Sequence, residues 1–173
     1  MQRRGTVQVY TGEGKGKTTA ALGQALRAVG HGWKVIVIQF LKARQGVGEV
    51  AVARNIPNLH ILQFGSGHFV CNKPTQEDHA LAQQAWQTAR ESTLSGRYDM
   101  VILDEINVTI HYKMIAVQEV LKLVEERPPH VELILTGRYA HPRLLEVADL
   151  VSEIKAVKHP YTSGVKAREG IEY

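Results

Sequence analysis

The run Gly12-Glu-Gly-Lys-Gly-Lys-Thr-Thr19 crowds three glycines, two lysines and two hydroxyls into one short stretch. A β-rich segment, Thr6–Tyr10, leads into it, and a good helix former, Ala20-Ala-Leu-Gly-Gln-Ala-Leu, leads out. Strand, glycine loop and then Gly16-Lys17-Thr18 is a phosphate-binding arrangement. Its glycines let the backbone approach phosphate closely. The N–H groups at the helix start, with the helix dipole, favour an anion there. Lys17 would reach phosphate oxygens, and Thr18 would offer its hydroxyl to Mg²⁺. The general pattern places glycine five residues before Gly16; here that residue is Thr11, and Gly12 and Gly14 supply the flexibility.

A second stretch, Asp99-Met-Val-Ile-Leu-Asp104-Glu105, reads as a buried strand ending in two carboxylates. Beside a phosphate loop, an acidic strand end serves the metal directly or through water. One of the two carboxylates is expected to serve Mg²⁺ and the other to hold the loop geometry. Arg138 follows the apolar run Val131–Thr136, at the strand end where open α/β sheets bind ligands; a plain surface arginine is the other reading. The loop Phe64–Pro74 combines Gly65 and Gly67 with Phe64, Phe69 and Val70. These apolar side chains are either plugs for the core or a mobile wall over an apolar ligand.

The intervening segments supply a frame for these groups. Helices are expected over Lys17–Val29, closed by Gly30 and Gly32, over about 47–54, from a Thr75 cap to about Thr93, over Ala116–Glu126, and over Pro142–Ala148. Thr75 with Asp78 three residues on fits a capping box. Leu81, Ala82, Ala85, Trp86 and Ala89 form an apolar face, with Trp86 in the core. Strands are expected at Thr6–Tyr10, Lys34–Gln39, Leu59–Gln63, at Met100–Leu103 before the acidic pair, at Val131–Thr136 and at Leu150–Lys155. Lys34–Gln39 is continuously apolar, as in a buried parallel strand, and the first β-α-β unit should cross right-handed. The basic tail after Val157 is either a frayed end or a cover over phosphates.

The chain has 173 residues, 44% hydrophobic and 22% charged, as in one ordinary globular domain spanning residues 1–173. No apolar run approaches the roughly 20 residues that span a bilayer. The start, Met-Gln-Arg-Arg-Gly, lacks the apolar segment of a signal peptide. The lone Cys71 excludes an internal disulfide and argues against a cysteine-based zinc site. These features point to the cytoplasm. The net charge of +4 suits either a nucleic-acid surface or an enzyme of polyphosphates; the charges are interspersed, which favours the second.

Taken together, the chain resembles the P-loop class of ATP:corrinoid adenosyltransferases. The resemblance is carried by Val9-Tyr-Thr-Gly-Glu-Gly-Lys-Gly-Lys-Thr-Thr-Ala-Ala, Ala28-Val-Gly-His-Gly, Val101-Ile-Leu-Asp-Glu-Ile-Asn and Leu135-Thr-Gly-Arg. In the tail it continues through Val157-Lys-His-Pro-Tyr, Gly164-Val-Lys-Ala and Gly170-Ile-Glu-Tyr. It implies a RecA-like P-loop NTPase fold of α/β class, with a mainly parallel sheet of about six strands flanked by helices. It implies that Co(I) of a reduced corrinoid attacks the 5′ carbon of ATP and triphosphate leaves. By matching position, Gly12, Glu13, Gly14, Lys15, Gly16, Lys17, Thr18 and Thr19 would hold the triphosphate. Lys17, Thr18 and Glu105 would be the catalytic residues, Thr18 and Glu105 as ligands of Mg²⁺ (or Mn²⁺), and Arg138 and the basic tail would lie near the nucleotide.

A homodimer and an electron-donor protein for Co(II) reduction are implied as partners, with no nucleic acid and no membrane. Family members commonly carry a longer N-terminal segment over the active site, often the partner subunit's. Only ten residues precede Thr11, so that cover is expected to be short or absent. The loop matching Phe64–Pro74 shields the lower corrin face with two aromatics in the family. Phe69 can fill one role, and no second aromatic stands beside it. Two other functions compete: a small-molecule kinase of thymidine-kinase-like type, and a RecA-like nucleic-acid-binding ATPase. The absent zinc-type cysteines and the match through the tail count against the first. Small size and the lack of a basic-aromatic patch count against the second.

Overall fold

The computed structural model describes residues 4–43, 46–67 and 73–172. Six strands form one sheet: β1 (Val7–Thr11), β2 (Val35–Phe40), β3 (Leu59–Phe64), β4 (Met100–Asp104), β5 (Glu132–Thr136) and β6 (Leu150–Glu153). Their order is β3-β2-β4-β5-β1-β6, and every pairing is parallel. Helices cover both faces, as the pattern of continuous apolar runs requires: β2, β4 and β5 are buried along their whole length. This is the α/β architecture expected from the sequence.

Alternate residues along each strand feed two separate cores. Val7, Val9, Ile36, Ile38, Val101 and Leu103 pack under α3 (Gln76–Leu94) and α5 (Val117–Glu126). Val35, Val37, Met100, Ile102 and Ile134 pack under α1 (Lys17–Gly30). That helix presents Ala21, Ala25 and Ala28, whose small side chains bring its axis close to the sheet. Trp86 is buried on α3, as expected. The Thr75 capping box forms in both directions: Asp78 N–H donates to Thr75 Oγ1 at 3.1 Å, and Thr75 N–H donates to Asp78 Oδ2 at 2.9 Å.

Three local features differ from the sequence reading. Helix α1 runs through Gly30, and Gly32, at φ 79°, is the residue that turns the chain away. A short helix, α4 (Ile106–His111), follows the acidic strand end directly. Ile-Asn-Val-Thr-Ile is a poor helix former by propensity; burial of Ile106 and Ile110 in the core holds it. β6 stops at Glu153 and lies at the sheet edge with all four residues exposed. Phe64 packs partly buried against the core, which makes it a plug.

Candidate active site

All six strands run parallel, so the loops after β1, β2, β4 and β5 open at one sheet edge. A cleft of about 630 Å³ lies there. Gly14, Lys15, Gly16, Lys17, Thr18 and Thr19 line one side of it. Glu105, at the end of β4, and Arg138, after β5, line it as well. Gly12 and Glu13 stand just off the lining. Glu13 instead meets Arg138 in an ion pair of 3.2 Å between two half-exposed side chains. Phe69 lies outside the described residues.

The loop is shaped by the strand beside it. Gly14 N–H donates to the Ile154 carbonyl at 2.7 Å, and Ile154 N–H donates to Thr11 at 2.8 Å. A Cβ on Gly12 would stand 2.5 Å from the Ile154 carbonyl oxygen, and one on Gly14 would stand 2.8 Å from it. Both glycines are therefore demanded by the chain leaving β6, in addition to any phosphate. Gly16, at φ 123°, sets the turn into α1. Lys17 folds along the loop, its Nζ donating to the Gly12 and Gly14 carbonyls at 2.7 Å each. Burial lowers the Lys17 pKa, with Glu105 opposing that shift.

Asp104 organises the opposite wall. Its Oδ1 accepts from Thr136 Oγ1 at 2.6 Å and from Thr18 Oγ1 at 2.9 Å. Its Oδ2 accepts from Lys42 Nζ at 2.6 Å and from Gln39 Nε2 at 3.1 Å. Four donors thus fill the roughly four acceptor positions of a carboxylate. Burial alone would raise the pKa of this fully buried group. The Lys42 charge, with hydrogen bonds from Lys42, Thr136 and Thr18, outweighs burial and holds it below the ordinary value.

Glu105 is different. Its backbone takes the left-handed conformation at φ 66°, and its N–H donates to Thr136 Oγ1 at 3.0 Å. Among the described residues its carboxylate receives no hydrogen bond and forms no ion pair. Burial first, and the neighbouring Asp104 charge second, raise its pKa. Left-handed backbone at a non-glycine is a costly conformation that surrounding structure must enforce. Here it turns the carboxylate away from the Asp104 network and onto the cleft.

With this geometry in view, the comparison with known proteins is direct. A family model described as ATP:corrinoid adenosyltransferase BtuR/CobO/CobP matches residues 3–173. The chain belongs to the ATP:corrinoid adenosyltransferase family. It is 42% identical over 176 residues to a corrinoid adenosyltransferase of Escherichia coli (strain K12), covering 100% of this chain and 88% of that one. It is 40% identical over 177 residues to a corrinoid adenosyltransferase of Sinorhizobium sp, covering 98% and 81%. It is 40% identical over 176 residues to the corrinoid adenosyltransferase CobA of Salmonella typhimurium (strain LT2), covering 100% and 88%.

The cleft also contains two residues that sequence reasoning passed over. Lys42 and Glu49 line it, as do His159 and the tail residues Gly170, Ile171 and Glu172. Lys42 follows the carboxyl end of β2, the same placement that marked Arg138, so the same rule could have found it. The tail, read from the sequence as either a frayed end or a cover over phosphates, reaches the cleft. Its place is fixed by Lys15, whose Nζ donates to the Ile171 carbonyl at 2.8 Å and pairs with Glu172 at 3.4 Å. Among the described residues no three His, Cys, Asp or Glu side chains group as a metal cage, and no helix is long and apolar enough to cross a membrane.

Proposed function

We propose that this chain transfers the 5′-deoxyadenosyl group of ATP to Co(I) of a reduced corrinoid. Cobalt supplies the electron pair that forms the Co–C5′ bond. The C5′–O bond breaks, and triphosphate departs with that bond's electrons. The observation that carries the reading is a single cleft that joins a phosphate loop, a lysine, an arginine and a free carboxylate in a chain of this family. No water-activating base is needed, because the nucleophile is the corrinoid itself.

The chain's own part is to hold and stabilise the leaving group. The amides at the start of α1 and the Lys17 ammonium take the triphosphate oxygens, and their orientation is fixed before reaction. Lys17 would exchange its bonds to the Gly12 and Gly14 carbonyls for bonds to phosphate. Arg138 would do the same with Glu13. Thr18 and Glu105 would hold Mg²⁺ or Mn²⁺: both are hard oxygen donors on the cleft, and such ions use one or two protein oxygens plus substrate phosphates. Asp104 has no acceptor position to spare, which leaves Glu105 for the metal. When bound, the ion would neutralise charge on the triphosphate.

The resemblance further supports a homodimer and a separate electron-donor protein for Co(II), and the lone cysteine and the lack of a long apolar run support a cytoplasmic location. ATP and chemically reduced cobalamin, followed by absorbance and triphosphate detection, test the activity. Intact triphosphate with an adenosylated product is the expected result. ADP would point to a kinase instead, and DNA-stimulated release of phosphate to a nucleic-acid-dependent ATPase.

A further inference from the structure

Lys42 takes part in none of the steps above, yet it is held in place more firmly than most surface lysines. Its backbone leaves β2 through Leu41, which adopts φ 58°. A leucine in that region is strained, and persists only where its surroundings enforce it. Gly65 packs directly against this peptide. A Cβ there would lie 2.6 Å from the Lys42 backbone nitrogen and 2.7 Å from the Leu41 carbonyl carbon. The loop after β3 therefore clamps the Lys42 backbone directly.

The side chain is equally determined. One N–H of the ammonium goes to Asp104 Oδ2 at 2.6 Å and a second to Thr18 Oγ1 at 3.0 Å. An ammonium has three donors. The third is uncommitted among the described residues, and the side chain, 30% exposed, lines the cleft beside the phosphate loop. Thr18 is constrained in turn. Its hydroxyl proton is used by Asp104, and one lone pair accepts from Lys42. Towards the cleft it can therefore act only as an acceptor, suited to a cation.

We propose that Lys42 is a further triphosphate-binding cation, beside Lys17 and Arg138: anchored on Asp104, it donates its free N–H to a phosphate oxygen, while Glu105 keeps a carboxylate with no hydrogen bond or ion pair among the described residues. This rests on the reading of the cleft as a triphosphate site. Lys17 and Lys42 would then approach the polyphosphate from the two walls of the cleft. Because Lys42 neutralises Asp104, the Asp104–Glu105 pair keeps one net negative charge for a divalent ion instead of two.

The two consequences have opposite signs, which separates them from a merely structural role. In Lys42→Met, inorganic triphosphate measured by calorimetry in EDTA should bind about ten- to a hundredfold more weakly, the loss of one charge-assisted hydrogen bond. Mn²⁺ without nucleotide, followed by its paramagnetic resonance, should bind more tightly, because Asp104 loses its internal cation. Lys42→Arg should retain most of the triphosphate affinity. Stranding Asp104 can unfold the single variant, so Lys42→Met/Asp104→Asn removes the pair together. It should melt cooperatively, bind Mn²⁺ as the wild type does, and still bind triphosphate weakly.

Wild-type triphosphate affinity in the double variant would overturn the proposal, as would Mn²⁺ binding no tighter in a folded Lys42→Met protein. Failure of the metal reading is a separate result. It would show as Mn²⁺ affinity unchanged in Glu105→Gln, and the EDTA measurements would still decide the role of Lys42. Failure of the triphosphate reading would show as no binding to the wild type.

Discussion

The Thr18 hydroxyl donates to Asp104 Oδ1 across 2.9 Å and so ties the first turn of α1 to the carboxyl end of β4. β5 lies between β4 and β1, and its last residue, Thr136, donates to the same oxygen. One carboxylate thus sets the spacing between the phosphate loop and the acidic strand end.

Replacing that carboxylate should cost stability before anything else. Asp104→Asn leaves Lys42 beside an uncharged amide, and breaking such a pair costs about 3 kcal/mol, the low end of the range because Lys42 is 30% open. The Asp104 pKa is depressed in the folded protein. Its contribution is therefore complete above the ordinary value of 3.8 and lost as pH falls through the depressed value. Thermal melts should show the variant below the wild type from pH 8 down to pH 5, with the gap closing only in stronger acid. A gap that closes near pH 6 would contradict this account of Asp104.

Glu105 should behave in the opposite sense. Its folded pKa is raised, so its contribution is complete below the ordinary value of 4.5 and is lost as pH rises through the raised value. Glutamine imitates the neutral form. Glu105→Gln should therefore melt above the wild type at pH 8 and together with it near pH 4. Metal titrations of activity should show a higher Mg²⁺ requirement in Glu105→Gln than in Asp104→Asn. A larger shift in the Asp104 variant would reverse the two roles.

The groups legible in the sequence were those whose meaning is local. Gly16-Lys17-Thr18 opens one helix and Asp104-Glu105 closes one strand, and the strands announce themselves as apolar runs. What sequence could not deliver was the pairing between distant segments. Thr136 has no signature until β5 is placed beside β4, and although its place after β2 marks Lys42 as a candidate, its bonds to Asp104 and Thr18 exist only in the fold. The roles of Gly12 and Gly14 were legible only in part. Phosphate approach explains glycine there, but the close passage of Ile154 is a tertiary fact. Helix α4 was missed because its propensity is poor and its stability comes from burial.

Lys17→Ala should abolish turnover while leaving the fold intact. Lys17 donates to the Gly12 and Gly14 carbonyls and belongs to neither hydrophobic core, so its removal leaves both cores in place. Removing a preorganised contact to a charge that develops in the transition state costs on the order of 10²–10³ in rate. Single-turnover assays with chemically reduced cobalamin measure the loss, and a circular dichroism melt checks the fold. A folded variant turning over near the wild-type rate would remove Lys17 from the mechanism.

The glycines of the loop and of the helix that follows it should respond to alanine with opposite signs. At Gly12 the new Cβ meets the Ile154 carbonyl oxygen at 2.5 Å and its nitrogen at 2.8 Å, all backbone, and φ is +97°. Neither the clash nor the conformation can be relieved by turning a side chain. Gly12→Ala should lose about 1–3 kcal/mol and weaken triphosphate binding, because the loop must part from the chain leaving β6. Gly14→Ala meets Ile154 and Lys155 backbone atoms at 2.8 Å without the positive φ, so it should lose less. Gly23 lies inside α1, is exposed, and has nothing within 4 Å of its would-be Cβ. Gly23→Ala should gain about 0.5–1 kcal/mol from helix propensity and leave triphosphate affinity unchanged. Denaturant titrations of the three variants, paired with calorimetric binding of triphosphate, decide the matter. Equal stability of Gly12→Ala and Gly23→Ala would show that the loop does not depend on the close passage of Ile154.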